Sequence, residues 1–335
     1  MLTTPLLTTL HRILAPESLT VLTTPQAKPL LKHHPHVSQV LVDAKRTDGR
    51  GLLGLWSMAQ RLRRERFTLV VAAHKSLRTA MLLALAGIPQ RVGFRQSPGW
   101  FLYHSTALRD ANRHEVERIL CLMRAFGLEP EECDRNSRVE YPEAIKAQVR
   151  SLLHNNGIAP TNPLFVVCPG SVWPTKRWTI DGFARLVCRL EESYGRVLLC
   201  GGPDDAEIAQ GVYEQAGHRG VNLVGQADLL TFMALVDHAQ VVISNDSAPM
   251  HIAVARDVPV VAIFCATTPS LGYGPYTNNA IVVEKKELSC RPCGRHGSHL
   301  CPLGTDACMR QVSVADVLAG IDQLLNRSAS AALQV

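Results

Sequence analysis

The chain has 335 residues, which is more than one hydrophobic core usually organises, so two domains are expected. Apolar residues make up 46% and charged residues 19% of the sequence, the balance of a globular protein. The 35 Lys and Arg against 29 Asp and Glu give a net charge of +6, a mild excess that suits anionic ligands or an anionic membrane face. The basic residues are scattered and aromatics are only 5%, so nucleic acid is not an expected partner.

Membrane spans and export signals are not evident in the sequence. A membrane-spanning helix needs roughly 20 apolar residues. The longest apolar run, AMLLALAGI, is about half that length and predicts a buried helix. The N-terminus does not show the charged, then apolar, then small-residue pattern of a signal peptide. We therefore expect a cytoplasmic protein.

The first half of the chain alternates helices with short apolar strands. It begins with a helix over about Thr4–Leu14, and strand and helix patterns then follow in turn. Continuous apolar strands joined by helical crossovers predict an α/β fold with a parallel sheet buried on both faces. The predicted elements after the first helix are, in chain order, strand LTVLT, helix QAKPLLKHH, strand VSQVLVD, helix LLGLWSMAQRLRRER, strand FTLVVAA, helix SLRTAMLLALAG and strand QRVGF.

Two further helices, HEVERILCLMRAFG and EAIKAQVRSLLHNNG, lead to the middle of the chain. The second ends at Asn156-Gly157, a typical helix terminus, and the following IAPTNP has the composition of a linker. We therefore predict a first domain over residues 1–157 and a second over residues 158–328.

A second series of strands and helices follows the linker, so two Rossmann-like halves in tandem are expected. In such sheets, ligands bind outside the carboxyl ends of the strands, near the point where the strand order reverses. The predicted elements are strand LFVVCPG, helix IDGFARLVCRLEES, strand RVLLCGG, helix DDAEIAQGVYEQAG, strand VNLVG, helix LLTFMALVDHA, strand QVVISND, helix APMHIAVARD, strand PVVAIF and a final helix SVADVLAGIDQLL.

The loop after strand LFVVC combines small and polar residues in the sequence PGSVWPTKRWTIDGF. Its glycine allows a ligand to approach the backbone, Ser171 and Thr175 offer hydroxyls, and Lys176 can meet a phosphate placed near the start of the next helix. The loop therefore predicts an anion site. The alternative is a Pro/Gly-rich loop whose polar residues are incidental.

Two more strand-end loops of the second half carry similar signals. LCGGPDD contains the paired Gly201 and Gly202, which let a ligand lie against the backbone. NDSAPMHIA gathers Asn245, Asp246 and Ser247 at a helix N-terminus, where a carboxylate can hold sugar hydroxyls. An ordinary N-cap would account for Asp246 or Ser247 taken singly. Three such loops in one domain together predict a nucleotide-diphosphate ligand.

Five segments carry a specific resemblance. They are HKSLRTAMLLALAGIPQRVGF, PGSVWPTKRWTIDGFARL, LLCGGPDD, LVGQADLLTFMALVDHAQVVISNDSAPMHIAVA and CRPCGRHGSHLCPLGTDACM. The chain resembles the ADP-heptose:lipopolysaccharide heptosyltransferases of glycosyltransferase family 9, and most of all their heptosyltransferase II branch. The resemblance extends over nearly the whole chain.

The resemblance implies a GT-B architecture, in which two Rossmann-like domains face a cleft, with the acceptor bound by the first domain and ADP-heptose by the second. It implies an inverting, metal-independent transfer of heptose from ADP-L-glycero-D-manno-heptose to the inner core of lipopolysaccharide. The partners would be ADP-heptose, a lipid A/Kdo/heptose precursor and the inner leaflet of the cytoplasmic membrane, with peripheral attachment and no required cofactor. The implied donor-binding residues are Ser171, Lys176, Gly201, Gly202, Leu230, Met233, Asp246, Ser247 and His251, of which Lys176 would also stabilise the leaving phosphate.

The start of the sequence departs from the family pattern. Family members open with a strand, a Ser-x-Gly-Asp loop that supplies the proposed general base, and a helix that begins close to LTTPLL. Here Met1 stands directly before Leu2, and the first acidic residue is Glu17. We therefore expect a first domain that lacks its first strand, and the general base stays unknown. Either the start is assigned too late, which we favour, or the protein lacks this strand.

Three residues of the first half, Lys75, Ser76 and Arg78, follow a predicted strand end and are candidates for binding the phosphorylated acceptor; a solvated helix N-terminus is the alternative. Four late cysteines could form a structural zinc site, or a cluster of reduced thiols that shapes a loop. Catalysis by these thiols is not expected. They are Cys290, Cys293, Cys301 and Cys308, within the Cys-rich segment 290–308.

Two other functions stay open. The chain could be a pseudoenzyme that binds a nucleotide sugar and lacks the catalytic base. It could also be a GT-B enzyme that transfers nothing, such as a sugar-nucleotide epimerase, although the Cys-rich segment and NDSAPMH argue against this.

Overall fold

The structure is a computed structural model and describes residues 1–45 and 51–332. The chain divides into two compact units, unit 1 over residues 1–140 and unit 2 over residues 141–335. The sequence predicts a division after residue 157, so the helix Glu143–Asn155 is expected in the first domain but belongs to unit 2. This helix packs against the helix Leu229–Val236. The Asn156-Gly157 signal therefore marks the end of a helix rather than a domain boundary.

Unit 1 follows the predicted alternation of helices and strands. The first helix has the predicted bounds, whereas several later elements are shorter than their apolar patterns. Its helices are α1 (Thr4–Leu14), α2 (Lys28–Lys32), α3 (Gly51–Arg64), α4 (Leu77–Leu85) and α5 (Glu115–Leu120). Its strands are β1 (Thr20–Thr23), β2 (Gln39–Val42), β3 (Leu69–Val71), β4 (Gln90–Phe94) and β5 (Ser105–Ala107).

The strands of unit 1 form two parallel sheets. One has the order β1-β2 and the other β3-β4-β5. Within the described residues, the two sheets share no ladder of backbone hydrogen bonds. Every residue of β1 and β3 is half-buried, although β3 reads Leu-Val-Val. The expectation of a parallel sheet buried on both faces is therefore met in strand direction but not in burial. The expectation that the first domain lacks its first strand stays a prediction.

Helix α1 is fastened to the segment after α5 by two threonine hydroxyls. The Thr9 hydroxyl donates to the Pro5 carbonyl oxygen (2.9 Å) and accepts from the backbone N–H of Asp134 (3.1 Å). The Thr4 hydroxyl accepts from the N–H of Arg138 (2.9 Å). Both threonines are fully buried. A buried hydroxyl is tolerated when it has partners, so these contacts explain two polar residues on the inner face of an amphipathic helix.

Unit 2 contains the larger α/β layer. Its strands are β6 (Leu164–Cys168), β7 (Arg196–Leu199), β8 (Val221–Asn222), β9 (Val241–Asn245), β10 (Val260–Phe264) and β11 (Ala280–Glu284). Its helices are α6 (Glu143–Asn155), α7 (Ile180–Ser193), α8 (Ala206–Gln215), α9 (Leu229–Val236), α10 (Ala248–Ala255), α11 (Ala307–Arg310) and α12 (Val314–Ala332).

The six strands of unit 2 form one parallel sheet with the order β11-β10-β9-β6-β7-β8. Counted from β6, this is the doubly wound order of a Rossmann fold, which reverses direction between β6 and β9. Strands β6, β9 and β10 are buried at every residue, as expected for parallel strands covered by helices on both faces. The structure therefore confirms the predicted Rossmann-like architecture of the second half.

Two strands are absent from the sequence-based assignment. Strand β5 has three residues, two of them polar, and strand β11 follows a long irregular segment, so neither gives a strong pattern. Strand β11 nevertheless pairs with β10 over five residues, from Val260 with Ala280 to Phe264 with Glu284. It therefore completes one edge of the sheet.

None of the helices within residues 1–45 and 51–332 combines the length and the apolar character that crossing a bilayer requires.

The two neighbouring threonines of α1 provide a matched test of the hydrogen bond that fastens it. We expect Thr9→Val to lower the free energy of unfolding by about 1–3 kcal/mol, because the N–H of Asp134 loses its acceptor. Urea denaturation followed by circular dichroism measures the change.

Thr8→Val is the control. Among the described residues, the Thr8 hydroxyl oxygen has no hydrogen-bond partner although it is buried. We expect this substitution to leave stability unchanged or to raise it, because a polar group without a partner is removed. Equal destabilisation by both variants would contradict the assigned role of Thr9.

Candidate functional site

The strand order of unit 2 reverses between β6 and β9, so the loops that follow these two strands turn to opposite sides of the sheet. This divergence leaves a crevice at the carboxyl ends of the strands, where ligands bind in doubly wound folds. The loop after β6 carries Ser171 and Lys176, and the residues after β9 are Asp246 and Ser247. The reversal therefore brings two of the predicted loops to the same place.

Asn245, the last residue of β9, joins these two loops. Its side chain is fully buried. The amide Nδ2 donates to the carbonyl oxygens of Pro169 (2.8 Å) and Gly170 (3.3 Å), and Oδ1 accepts from the backbone N–H of Trp178 (2.9 Å). One side chain thus holds both ends of the loop that contains Ser171 and Lys176. The buried backbone groups of this loop obtain partners that no strand supplies.

Lys176 and Asp246 form an ion pair across the crevice. The Lys176 ammonium nitrogen lies 2.7 Å from Asp246 Oδ2, and the side chains are only 15% and 8% exposed. The Thr267 hydroxyl, on the loop after β10, donates to the same Oδ2 (2.6 Å). Both contacts use one carboxylate oxygen, so Oδ1 is the atom that can accept a ligand hydroxyl. The ammonium has three N–H donors and can meet an anion while it keeps Asp246.

The glycines of the next loops allow close approach of backbone and side chain. A Cβ atom at Gly170 would lie 2.0 Å from Asp205 Oδ1, and one at Gly201 would lie 2.9 Å from Asp205 Oδ2. Asp205 in turn accepts from the N–H of Gly202 (3.0 Å). The loops after β6 and β7 therefore meet through this carboxylate, and a larger residue at Gly170 would separate them.

The other predicted donor residues differ in accessibility. Ser171 is buried, and its carbonyl oxygen accepts from Arg177 Nε (2.7 Å). Ser247 is the N-cap residue of α10, and its hydroxyl oxygen lies 3.1 Å from that of Ser244. His251 lies on the same helix and is half-buried.

The family resemblance implies that Met233 or Leu230 packs near the adenine of the donor. Met233 is fully buried within α9, whereas Leu230 is half-buried. Because only an accessible side chain can contact a ligand, the structure favours Leu230 of the two.

The Cys-rich segment packs directly on the turn that bears Lys176. Thr175 and Ser298 are joined by three hydrogen bonds. The Thr175 hydroxyl donates to the Ser298 carbonyl oxygen (2.9 Å) and accepts from the Ser298 N–H (2.8 Å), and the Thr175 N–H donates to the same carbonyl oxygen (3.2 Å). A Cβ atom at Gly297 would lie 2.9 Å from Lys176 Cγ. The Trp173 and His299 rings are 5.2 Å apart, edge to face. The segment thus limits the positions open to the Lys176 side chain.

Arg291 anchors the start of this segment to the end of β10. Its guanidinium is 2% exposed and donates to the carbonyl oxygens of Phe264 (2.9 Å) and Thr267 (2.6 Å), and it pairs with Glu284 (2.9 Å). The Cys293 N–H donates to the Ala266 carbonyl oxygen (2.8 Å). The N–H donors of this buried guanidinium have acceptors, so Arg291 can hold the start of the Cys-rich segment in place against the end of β10.

All ten cysteines are free thiols. Within the part of the chain that the structure describes, no three His, Cys, Asp or Glu side chains are arranged to hold a metal ion, so the predicted zinc site at Cys290, Cys293, Cys301 and Cys308 has no geometric support here. The thiols differ in environment. Backbone N–H groups, first that of Asp306 and then that of Leu303, hydrogen-bond the Cys301 sulfur and lower the pKa of its thiol. Burial raises the pKa of Cys293 and raises that of Cys308 to about 11.

The predicted acceptor residues lie together at the start of α4 in unit 1. Ser76 is the N-cap residue, Lys75 precedes it and is exposed, and Arg78 forms an ion pair with Asp43 at the end of β2. These residues therefore share the carboxyl-end side of their strands, where a ligand of this unit would be expected.

Comparison with known proteins assigns the family. The model of glycosyltransferase family 9 (heptosyltransferase) matches residues 55–303. The chain belongs to glycosyltransferase family 9. The members of this family are heptosyltransferases, and the predicted family resemblance is confirmed.

Individual members of the family are similar to the chain over nearly its whole length. Lipopolysaccharide heptosyltransferase 3 of Escherichia coli is 25% identical, covering 98% of this chain and 96% of the relative. The crystal structure of a family 9 glycosyltransferase from Veillonella parvula superposes with a TM-score of 0.86 at 23% identity, covering 97% of this chain and 93% of that one. The ADP-heptose lipopolysaccharide heptosyltransferase II of E. coli gives 0.76 at 23% identity, covering 98% and 95%.

These matches show that the chain has the GT-B fold of family 9, as predicted. Both heptosyltransferase II and heptosyltransferase 3 proteins are among the similar proteins. The predicted preference for the heptosyltransferase II branch therefore stays a prediction.

Several residues of the site were not selected from the sequence. Thr267 follows β10 and contacts Asp246, and the rule that ligands meet strand ends could have found it. Asn245 was noticed for its polarity, but its role as a bridge depends on loops 75 residues away in sequence. Ser298 lies 123 residues from its partner Thr175, and no local pattern indicates that contact or the one between Gly297 and Lys176.

Two of the three half-exposed thiols of the Cys-rich segment, Cys293 and Cys301, provide a test of their environments. We expect iodoacetamide at pH 7 to alkylate Cys301 faster than Cys293, because a lowered pKa gives a larger thiolate fraction and a raised pKa a smaller one. Peptide mass spectrometry over a time course measures the two rates. The difference should shrink as the pH rises and both thiols ionise, and faster labelling of Cys293 at pH 7 would contradict the prediction.

Proposed function

We propose that the protein transfers heptose from ADP-L-glycero-D-manno-heptose to the inner core of lipopolysaccharide, with inversion and without a metal ion. The observation that carries the proposal is the Lys176–Asp246 pair at the strand-order reversal of unit 2, in a chain of family 9. A lysine and an aspartate side by side suit a sugar diphosphate, because the ammonium can bind the phosphates and the carboxylate can accept hydrogen bonds from the sugar hydroxyls.

Lys176 stabilises the leaving ADP in this proposal. When the bond from the anomeric carbon to the diphosphate oxygen breaks, negative charge develops on that oxygen. An ammonium that is held in place beforehand and is only 15% exposed stabilises this charge more strongly than water does. The N–H groups at the start of α10 supply further donors to the phosphates, and Gly201 and Gly202 let the diphosphate lie against the backbone.

Asp246 holds the donor sugar through Oδ1, while Lys176 and Thr267 fix the carboxylate through Oδ2. Ser171 binds the donor's phosphates together with Lys176, and Ser247 and His251 flank Asp246. Leu230 is the residue proposed to pack near the adenine.

The acceptor in this proposal is a lipid A/Kdo/heptose precursor, which meets Lys75, Ser76 and Arg78 of unit 1. The general base that deprotonates the acceptor hydroxyl is not assigned to a residue. The protein would act in the cytoplasm, attached peripherally to the inner leaflet of the cytoplasmic membrane, where such a lipid resides.

A nucleotide-sugar-binding pseudoenzyme is the alternative. It would bind ADP-heptose with the same residues of unit 2 but would not release ADP when lipopolysaccharide of a heptose-deficient strain is added. Calorimetry of ADP-heptose binding, together with a coupled assay of ADP release, separates the two. Turnover that persists with excess EDTA supports metal-independent transfer, and binding without turnover supports the alternative.

The role of Lys176 can be tested by truncating its side chain. We expect Lys176→Ala to lower the rate of ADP release by roughly 10²-fold or more, because the leaving phosphate loses its fixed positive charge. The matched control is Lys285→Ala, since Lys285 is a half-buried lysine of the same unit that pairs with Asp316 (2.9 Å). An unchanged rate in folded Lys176→Ala protein would remove Lys176 from the mechanism.

The role of Asp246 can be tested by comparing two ligands. We expect Asp246→Ala to weaken ADP-heptose binding by about tenfold or more relative to ADP binding, because the lost carboxylate contacts the sugar and not the phosphates. Titration calorimetry gives both dissociation constants. Asp322→Ala, which removes an exposed carboxylate of the same unit, should leave the ratio unchanged, and a ratio that is also unchanged in Asp246→Ala would place the sugar elsewhere.

A further inference from the structure

Helix α3 of unit 1 exposes large apolar side chains at its N-terminal end. Leu52 is 78% exposed, Leu53 is 85% exposed and Trp56 is 58% exposed. The opposite face of the same helix packs normally, because Leu55, Ala59 and Leu62 are buried in the core of the unit. Single exposed apolar residues are common on protein surfaces, but three within two helical turns are not explained by chance exposure.

Helices α3 and α4 point toward the same end of unit 1. The two helices pack on each other, and the Arg63 guanidinium at the end of α3 is 3.4 Å from the carbonyl oxygen of Leu85 at the end of α4. Two packed helices whose C-terminal ends are adjacent run in the same direction, so their N-terminal ends lie toward the same end of the unit. Leu77, the first residue of α4, is 44% exposed at this end.

Two exposed aromatic residues extend the same surface. A Cβ atom at Gly99 would lie 2.5 Å from the Ala80 side chain and 3.3 Å from that of Leu77, so the turn after Gly99 packs on the start of α4. Trp100 and Phe101 follow directly and are 52% and 64% exposed. We use the name apolar collar for this set of residues, which comprises Leu52, Leu53, Trp56, Leu77, Trp100 and Phe101.

Basic residues lie next to the apolar collar. Lys45 follows β2 and is close enough to His74 to help lower the pKa of that imidazole, after the larger effect of burial. Lys75 immediately precedes α4 and Arg95 immediately follows β4, and both are exposed. The buried carboxylate here, Asp43, is paired with Arg78. The surface thus presents apolar side chains with positive charges beside them.

We propose that the apolar collar inserts into the surface of an anionic phospholipid bilayer, with Lys45, Lys75 and Arg95 against the lipid phosphates. The proposal deepens the proposed function, on which it rests for the expectation that the acceptor is a membrane lipid. Leucine and tryptophan side chains beside lysine and arginine are the composition of segments that bind the bilayer interface. Each basic residue near an anionic surface adds attraction that depends on salt.

The position of the collar also fits a lipid acceptor. It surrounds the start of α4, where Lys75, Ser76 and Arg78 are proposed to bind the phosphorylated head group. A lipid held at that place can keep its acyl chains in the bilayer while its sugar reaches the protein. The collar therefore determines which end of unit 1 faces the membrane.

The experiment is flotation of the full chain with vesicles that contain no lipopolysaccharide. Neutral phosphatidylcholine vesicles are compared with vesicles that also contain phosphatidylglycerol. We expect the protein to float with the anionic vesicles, and Leu52→Ser/Leu53→Ser to lower the partition coefficient by about tenfold or more, because two apolar side chains no longer leave water. Lys45→Gln/Lys75→Gln should lower it by about tenfold on anionic vesicles and leave neutral vesicles unaffected.

The matched control is Ile13→Ser/Leu14→Ser. These residues are also adjacent and exposed, at 42% and 38%, and they end α1. The ring of His11 in that last turn stacks at 4.3 Å on the ring of His36, which precedes β2, so this control lies at the opposite end of the strands. We expect its partition coefficient to equal that of the unchanged protein.

Three outcomes would overturn the proposal. They are equal flotation of the Leu52/Leu53 variant and the unchanged protein, equal losses in that variant and the Ile13/Leu14 control, and a lipid-free dimer that only the Leu52/Leu53 variant abolishes in analytical ultracentrifugation. The last would assign the collar to a second copy of the chain. Because the vesicles contain neither donor nor acceptor, a failure here leaves the calorimetric tests of ADP-heptose binding unaffected.

Discussion

The hydrogen bonds of Asn245 are the constraint on which the site of unit 2 depends. A reversal in strand order requires the loops after β6 and β9 to part, and parting loops leave backbone groups without strand partners. Asn245 supplies these partners from a position with no solvent exposure, with a donor for two carbonyl oxygens and an acceptor for one N–H. Neither aspartate nor leucine could do both. The position of the loop that carries Lys176 therefore depends on the side-chain amide of Asn245, which lies at the end of β9, whereas the loop follows β6.

A second set of contacts fixes Lys176 from the other side. Thr175 and Ser298 exchange hydrogen bonds, and Gly297 leaves room for the aliphatic part of the lysine side chain. Arg291 holds the beginning of that segment to the end of β10. The lysine thus lies between two supports, one built on the sheet and one on an irregular segment. An irregular segment with few backbone hydrogen bonds of its own acquires a defined structure through these side-chain contacts.

The sequence predicted those parts of the molecule that depend on local pattern. Strands β6, β7, β9 and β10 are mostly apolar, and the residues that follow parallel strands had to gather at one edge of the sheet, which is why Lys176, Asp246 and Gly201 could be selected. Contacts between distant segments, such as that of Ser298 with Thr175, do not appear as a periodic pattern in the sequence and could not be predicted from it. The half-buried state of β3 could not be predicted either, because Leu-Val-Val reads as a fully buried strand. The compact units divide after residue 140 and not near residue 157, because α6 packs on α9, and this tertiary contact has no signal in the local sequence.

In the proposed reaction, the ion pair between Lys176 and Asp246 has a consequence for the end of the catalytic cycle. In the protein without ligand, the ammonium already has a negative partner at 2.7 Å. A diphosphate that reaches the lysine gains attraction, but it also competes with this partner, so its net gain is smaller than a lone buried lysine would give. After the sugar has left, nothing bound to Asp246 Oδ1 compensates for that competition. The carboxylate would then act as an internal competitor that shortens the residence time of ADP and frees the site for the next donor.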